Sequence, residues 1–521
     1  MSRKTTLSLR FLCLLASVLL FASCKNSAQK STGKAASSEN TRRPNILFVI
    51  SDDQSYPHAS AYGYKAVSTP AFDRVAREGI LLTNAFVASP GCSPSRAALL
   101  TGRNCWQTRE AGTHASTFPA DLVTYPEVLE KAGYHVGMTG KGWGPGKVVG
   151  REHNPAGKAY GARKMEAPKG ISDNDYAANF AEFLAQKANG QPFCFWFGAQ
   201  EPHRRYPTGI GVKSGMQVAD VKVPGFLPDD PDIKTDMLDY LYEIQWFDSH
   251  LDRMIKLLEE KGELDNTLIV VTSDNGMPFP RAKANTYEYG FHVPMAIRWG
   301  NRIKGGRTVD DLVSTVDLAP TFLEAAGIKD HPMQLEGRSL MNIFTSSKSG
   351  VLDKQRQAVY ASRERHSSSR WNNLGYPQRA LRTPDYLYIW NIQPGRWPAG
   401  APQKYEEDGT LGPMHDAYHD IDDFNESPLI TRREEPGINK YFHLAVDKRP
   451  EVELYDIRKD PYCLQNLAEV PAFRATRDKL GAQMKAYLTK TNDPRMGPGG
   501  EETYESYIRY SPIRKYPKPE N

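Results

Sequence analysis

The chain holds 521 residues, 40% of them hydrophobic and 24% charged, with a formal net charge of +5. That length exceeds one ordinary compact domain, and the composition is that of a folded globular protein, not a disordered one. Three of the basic residues (Arg3, Lys4 and Arg10) fall in the first 23 positions, which carry no acid. The near-neutral remainder offers no general attraction for nucleic acid, so any anion must be recognised by a local pocket.

Taken from the start, the basic opening leads into an apolar stretch from Phe11 to Ala22, too short for a comfortable membrane span and suited to a cleavable leader, residues 1–23. It ends Leu20-Phe21-Ala22-Ser23-Cys24, which is similar to a bacterial lipobox with Phe21 where Leu is usual. Cleavage there leaves Cys24 to carry lipid. The expectation is an exported protein of a Gram-negative bacterium, periplasmic or anchored at the outer membrane, touching the membrane only through that lipid. Residues 24–43, rich in Ser, Lys, Ala and Thr, read as a flexible tether.

Three later runs share one design. Asn45 to Ile50 is apolar after its first residue and stops at Ser51-Asp52-Asp53. Phe193 to Phe197 stops shortly before Glu201-Pro202-His203, and Thr267 to Val271 stops before Asp274-Asn275-Gly276. Short β-prone runs without alternation predict strands buried on both faces. Polar clusters at their C-terminal ends lie where open α/β sheets place ligands. Helical spacing is visible after Thr69-Pro70, from Pro126 to Lys131, and most clearly from Lys234 to Lys261, where Leu238, Leu241, Ile244, Phe247, Leu251 and Leu258 share a face. The alternation predicts an α/β domain over residues 44–375. Residues 392–440 are rich in Pro, Gly and acids and read as loops. Strands near Tyr386 and Glu453 and a helix over 472–489 predict a smaller α+β subdomain, 376–521. Cys105, Cys194 and Cys463 match no zinc spacing, and Cys194 reads as a buried thiol.

The sharpest local signal is Cys92-Ser93-Pro94-Ser95-Arg96, continued by Leu99-Leu100-Thr101-Gly102. A second is Asp52, Asp53, Asp274 and Asn275, an all-oxygen set suited to a hard cation such as Ca²⁺ or Mg²⁺. On these residues the chain resembles the type I sulfatases of the alkaline phosphatase superfamily, from Pro44 to about Ala468. The resemblance implies an alkaline phosphatase-like sandwich, with a large mixed sheet flanked by helices. It implies that a maturation enzyme converts Cys92 to Cα-formylglycine (3-oxoalanine), and that Asp52, Asp53, Asp274, Asn275 and the modified Cys92 bind one Ca²⁺. The aldehyde hydrates, one hydroxyl attacks sulfur, and the other expels sulfate by C–O cleavage, so water need not attack sulfur again. The resemblance also implies that Arg96 holds the modified residue. Lys141, in Gly140-Lys141-Gly142-Trp143, and Lys283 would bind sulfate, and His203 would contact it or protonate the leaving group. The family often has His where Trp143 stands.

Thr272 to Pro280, Glu201-Pro202-His203-Arg204 and Gly337-Arg338-Ser339-Leu340 resemble the heparan N-sulfatases (N-sulfoglucosamine sulfohydrolases) more than the arylsulfatases. Trp143, Gln200-Glu201 and Lys283 depart from that branch. The implied substrate is a sulfated oligosaccharide or polysaccharide fragment, with a sulfamidase reading ahead of an O-sulfatase acting on ulvan or carrageenan. Arg363, His366 and Arg370 lie where the two predicted domains join and are candidates to touch the sugar. Two other classes fit the motifs less well. A superfamily phosphatase or phosphodiesterase would use two metals and a Thr or Ser nucleophile. A non-catalytic glycan-binding lipoprotein would not need both the pentad and the oxygen set.

Overall fold

The apolar runs form strands in the computed structural model, which describes residues 42–519. The leader, Cys24 and most of the tether lie outside the described residues. In the large sheet, β1 is Asn45–Ser51, β2 Ile80–Phe86, β3 His135–Gly140, β4 Phe193–Gly198, β5 Thr267–Ser273 and β6 His292–Arg298. The order across it is β2-β6-β5-β1-β4-β3, and short strands extend both edges to nine. β1 runs parallel to β4 and β5, and β3 runs parallel to β4, while β6 is antiparallel to β5 and β2. The sheet is therefore mixed.

Alternation within each run explains why no polar residue interrupts it. Ile46, Phe48 and Ile50 of β1 enter one core, with Leu268 and Val270 of β5 and Trp196 of β4. Leu47 and Val49 enter the other, with Ile269, Val271, Phe195 and Phe197. Both faces are dry, so each position must be apolar. Each such side chain contributes about 1.5–3 kcal/mol on burial.

Helices cover both faces. They are α1, Pro70–Glu78, α2, Cys92–Thr101, α3, Tyr125–Lys131, α4, Tyr176–Gln186, α5, Pro231–Glu260, and α6, Leu318–Ala325. Leu99 of α2, Leu129 of α3 and Phe322 of α6 join the first core. Val75 of α1, Phe180 of α4, and Phe247, Leu251 and Leu258 of α5 join the second. α5 starts with Asp230 as N-cap, its carboxylate accepting from the Asp232 N–H, and with Pro231 in its first turn.

A second, four-stranded antiparallel sheet is built from β7 (Val359–Arg363), β8 (Gln378–Arg382), β9 (Tyr386–Asn391) and β10 (Val452–Asp456). Ala361, Ala380, Leu387 and Ile389 pack into the same core as the large sheet. Leu381, Tyr388 and Leu454 face away, under Leu480, Met484 and Leu488 of α7 (Arg474–Lys490). This sheet begins ahead of residue 375, and the chain from Arg43 onward forms one compact unit. Among the described residues, no helix is long and apolar enough to cross a membrane. Cys105, Cys194 and Cys463 are buried free thiols.

Candidate active site

Parallel pairing brings the distant polar clusters together. Ser51 is in register with Ser273, and Ile50 and Gly140 are each in register with Gly198. The residues that follow these strands therefore emerge at one edge. The approach at β3 and β4 is close. A Cβ on Gly198 would fall 1.9 Å from the Lys141 carbonyl oxygen, and Gly140 has φ of +72°. Only glycine fits these two positions.

Asp52, Asp53, Cys92 and Asp274 offer ligand atoms within 4.8 Å of one another, all buried. Cys92 begins α2 after Gly91, its Sγ 3.4 Å from Asp52 Oδ1 and 3.9 Å from Asp53 Oδ1. Asp53 has φ of +80°, uncommon for a residue with a side chain. Its N–H donates to Asp274 Oδ1 at 3.1 Å, which helps hold that turn. Asn275 Nδ2 donates to Asp53 Oδ1 at 2.6 Å and to the Gly276 carbonyl at 2.9 Å. A carbonyl only accepts, so the amide is oriented, and its Oδ1 is left buried without a partner. Three clustered carboxylates with a buried, unpartnered amide oxygen in the adjoining residue are a donor set of hard oxygens, so these residues fit a hard divalent ion.

The basic groups are distributed with some symmetry. Lys141 Nζ donates to Asp52 Oδ2 at 2.5 Å, and Lys283 Nζ donates to Asp53 Oδ2 at 2.6 Å. Arg96 is fully buried. Its Nε donates to Asp274 Oδ2 at 2.7 Å, and its Nη1 donates to the carbonyls of Lys141 and Gly142 at 2.6 and 3.0 Å. Its Nη2 has no hydrogen-bond partner and lies 3.8 Å from Asp52 Oδ1. One guanidinium thus ties the helix of Cys92 to two strand ends. Burial acts to raise Asp52, but Lys141, His203 and Arg96 outweigh it and hold the carboxyl well below its usual range. Asp274 is raised to about 6, by burial first, with Arg96 opposing. Burial raises the Cys92 thiol well above its ordinary value, although Lys141 and Lys283 oppose this. An unmodified Cys92 is therefore a protonated, unreactive thiol at neutral pH.

His203 follows β4. Its Nδ1 lies 2.6 Å from the Arg204 carbonyl, so Nδ1 carries the hydrogen. Nε2 is left toward Asp53 and Asp422, at 3.9 and 4.0 Å. Asp422 is a participant that the sequence reading missed. Its Oδ2 accepts from Lys283 Nζ at 2.7 Å, so that lysine bridges Asp53 and Asp422. Trp143 is buried against Phe118, and its Nε1 donates to the Ser93 carbonyl at 3.0 Å. In place of an ionisable ring, it braces the start of α2.

The three sugar candidates are placed differently. Arg363 and Arg370 are buried beside Tyr376, and each donates to Asp420 Oδ2 at 2.7 Å. His366 sits against Gly91, with its ring 4.7 Å from that of His114. None of the three lines the cavity of about 520 Å³ that opens beside the site. That cavity is walled by Asp52, Lys141, Trp143, His203, Glu201 and Glu243, among others.

Residues 44–328, more than half of the chain, match the family described as Sulfatase. The chain belongs to the sulfatase family. Residues 282–388 also match the family described as N-sulphoglucosamine sulphohydrolase, C-terminal. This sulfatase is 28% identical over 473 residues to an ulvan-active sulfatase of Formosa agariphila, covering 88% of this chain and 82% of the relative. It is 27% identical over 491 residues to human N-sulphoglucosamine sulphohydrolase, covering 87% of this chain and 91% of the relative. A solved protein in complex with its substrate D-glucosamine-2-N,6-O-disulfate shares the fold, with TM-score 0.61 and 21% identity over 87% of this chain and 99% of its own. The enzyme is a sulfuric ester hydrolase of a family that uses a formylglycine and a metal ion.

Proposed function

We propose that this sulfatase removes sulfate from a sulfated glycan, with Cys92 as the formylglycine precursor and one Ca²⁺ held by Asp52, Asp53, Asp274, Asn275 and residue 92. The observation that carries it is the buried cluster itself: three carboxylates, an amide oxygen without a donor, and Cys92 converging from three distant stretches. The cation supplies charge that offsets the carboxylates and polarises sulfate oxygens. The aldehyde derived from Cys92 supplies an oxygen nucleophile where the thiol is inert.

The chain's own groups do the rest. Arg96 holds α2 so that residue 92 stays between Asp52 and Asp53. Lys141 and Lys283 flank those aspartates and place two ammonium groups beside the sulfate position, oriented before substrate arrives. His203 lines the cavity with Nδ1–H held on the Arg204 carbonyl, and as the imidazolium it can give a proton from Nε2 to a leaving oxygen or nitrogen. Asp422 keeps Lys283 charged and in place. Export with a lipid on Cys24 belongs to the same reading, since a periplasmic or outer-membrane enzyme meets glycan fragments directly.

N-sulfoglucosamine is the first substrate reading, supported by the match of residues 282–388. An O-sulfated sugar is the second, supported by the ulvan-active relative and by Trp143, Gln200-Glu201 and Lys283, which depart from the N-sulfatase pattern. Release of sulfate from a set of N- and O-sulfated saccharides of defined structure tests both, with Cys92→Ala as control. Turnover by Cys92→Ala, or a fully active enzyme whose Cys92 peptide is not about 18 Da lighter than a thiol peptide, overturns the mechanism.

A further inference from the structure

The cavity beside the clamp holds a further acid. Glu243, a buried residue of α5, lines it together with Lys141 and His203. Glu243 is only 2% exposed, and its Oε1 is buried with no hydrogen-bond partner. The groups around it do not answer it. Glu201 is committed to the Tyr176 hydroxyl at 2.9 Å and the Ser172 N–H at 3.2 Å. Arg204 is turned to Asp236 at 2.8 Å and to the Pro278 carbonyl at 3.0 Å. Arg205 pairs with Asp423 and Glu426, at 2.9 and 3.0 Å. A buried carboxyl left without a partner costs free energy, and such costs persist where a ligand supplies the partner.

We propose that Glu243 is a specificity-determining residue, which reads an uncharged polar group (a hydroxyl or an amide) on the sugar unit that carries the scissile sulfate. This rests on the glycan-sulfatase reading above. Geometry gives the class of ligand. Glu243 lines the same cavity as Lys141 and His203, so a sugar held there by its sulfate brings other ring substituents within its reach. Charge narrows the class further. Both acids of the lining, Glu243 and Glu201, are pushed above their ordinary values by burial first, and Glu243 also by Glu201. A neutral carboxyl both donates and accepts, which suits a hydroxyl or amide. A second sulfate or a carboxylate at that position meets buried acids whose nearest arginine is already paired. The enzyme should therefore prefer units whose substituent at Glu243 is uncharged.

The test compares sulfate release from the best saccharide substrate with release from a small aryl sulfate, for Glu243→Leu and Glu243→Gln. Loss of one neutral hydrogen bond is worth about tenfold. The expected result is a saccharide-to-aryl ratio of kcat/KM about tenfold lower in the Leu variant, expressed mainly in KM, and largely restored in Gln, which donates and accepts in the same place. Thermal unfolding is followed for each variant, and Glu243→Ala repeats the comparison if Leu does not fold. A ratio unchanged in Leu or Ala overturns the assignment while leaving the glycan reading intact. A ratio that falls equally in Gln overturns it too, because a neutral isostere should serve. A wild-type enzyme that cleaves the aryl sulfate but no saccharide overturns the glycan reading, and this inference with it.

Discussion

Replacing Glu243 with Gln should make the protein more stable, by an amount that grows with pH. The unfolded chain releases the Glu243 proton near the ordinary value of 4.5, whereas the folded protein keeps it up to about 9. Burial is the main cause, helped by Glu201 and Asp239 and opposed by Arg204; Tyr206 also faces the carboxyl. Between those two values the folded state binds more protons than the unfolded state, so Glu243 subtracts stability as pH rises. The slope is about 1.4 kcal/mol per pH unit for one group. From pH 5 to pH 8 that reaches about 4 kcal/mol, and water entering the cavity at half strength still leaves about 2 kcal/mol. Gln carries no such proton. Urea unfolding of wild type and Glu243→Gln at several pH values between 5 and 8 measures the difference directly. Profiles that run parallel would refute the reasoning, because they would mean that the folded state holds no extra proton at this position.

Three further outcomes follow from the placement of charges. Lys141→Ala and Lys283→Ala should each lower turnover of every sulfate substrate by on the order of 10²–10³, as for loss of a preorganised donor, in steady-state assays. His203→Ala should slow a sugar substrate more than nitrophenyl sulfate, whose leaving group needs little protonation; equal losses would make His203 a sulfate ligand instead. Arg363→Ala should act on stability first. Asp420 is buried and held by Arg363 and Arg370 together, so removing one partner should cost on the order of 3 kcal/mol, read by denaturant unfolding.

The strands were legible because a sheet dry on both faces leaves only one kind of sequence. Ile46 to Ile50 and Leu268 to Val271 serve two cores with no polar position between them. The meeting of Asp52 and Asp53 with Asp274 was legible because polar pairs that end such runs must emerge at one edge. Helix α5, expected over 234–261, is Pro231–Glu260, its start moved by the Asp230 cap and Pro231. Asp422 was not legible. It lies in an acidic loop stretch with no periodicity, and its pairing with Lys283 spans 139 positions. Glu243 left a trace that could have been used. It stands three residues after Tyr240 and four before Phe247, on the face that the helical spacing marks as buried. A carboxylate on such a face asks for a reason. Arg363 and Arg370 are candidates to touch the sugar on the ground that a domain junction favours a pocket. The burial of both, and their shared partner Asp420, 57 and 50 positions on, leave no mark in the sequence.

The charges at the centre set what a bound cation would do there. Four carboxylates meet at the centre, Asp52, Asp53, Asp274 and Asp422, against three fixed cations, Lys141, Lys283 and Arg96. Each lysine is already spent on an aspartate, so the protein groups alone offer a sulfate dianion or monoester little net attraction. A divalent ion among the carboxylates reverses the sign, and it frees the lysines from their aspartates to face the anion. The cation should therefore be needed for binding sulfate as well as for turnover. After chelation, the enzyme should lose affinity for inorganic sulfate, measured by calorimetry, and should recover it when Ca²⁺ is restored. Restored Ca²⁺ at a hundredfold excess over its dissociation constant should also add about 2.7 kcal/mol of stability. Asn275→Ala should weaken both effects, because it removes a buried neutral oxygen that has no other partner. Sulfate affinity that survives complete removal of the metal would show that the lysines bind the anion unaided, and that the pairing with Asp52 and Asp53 is broken at little cost.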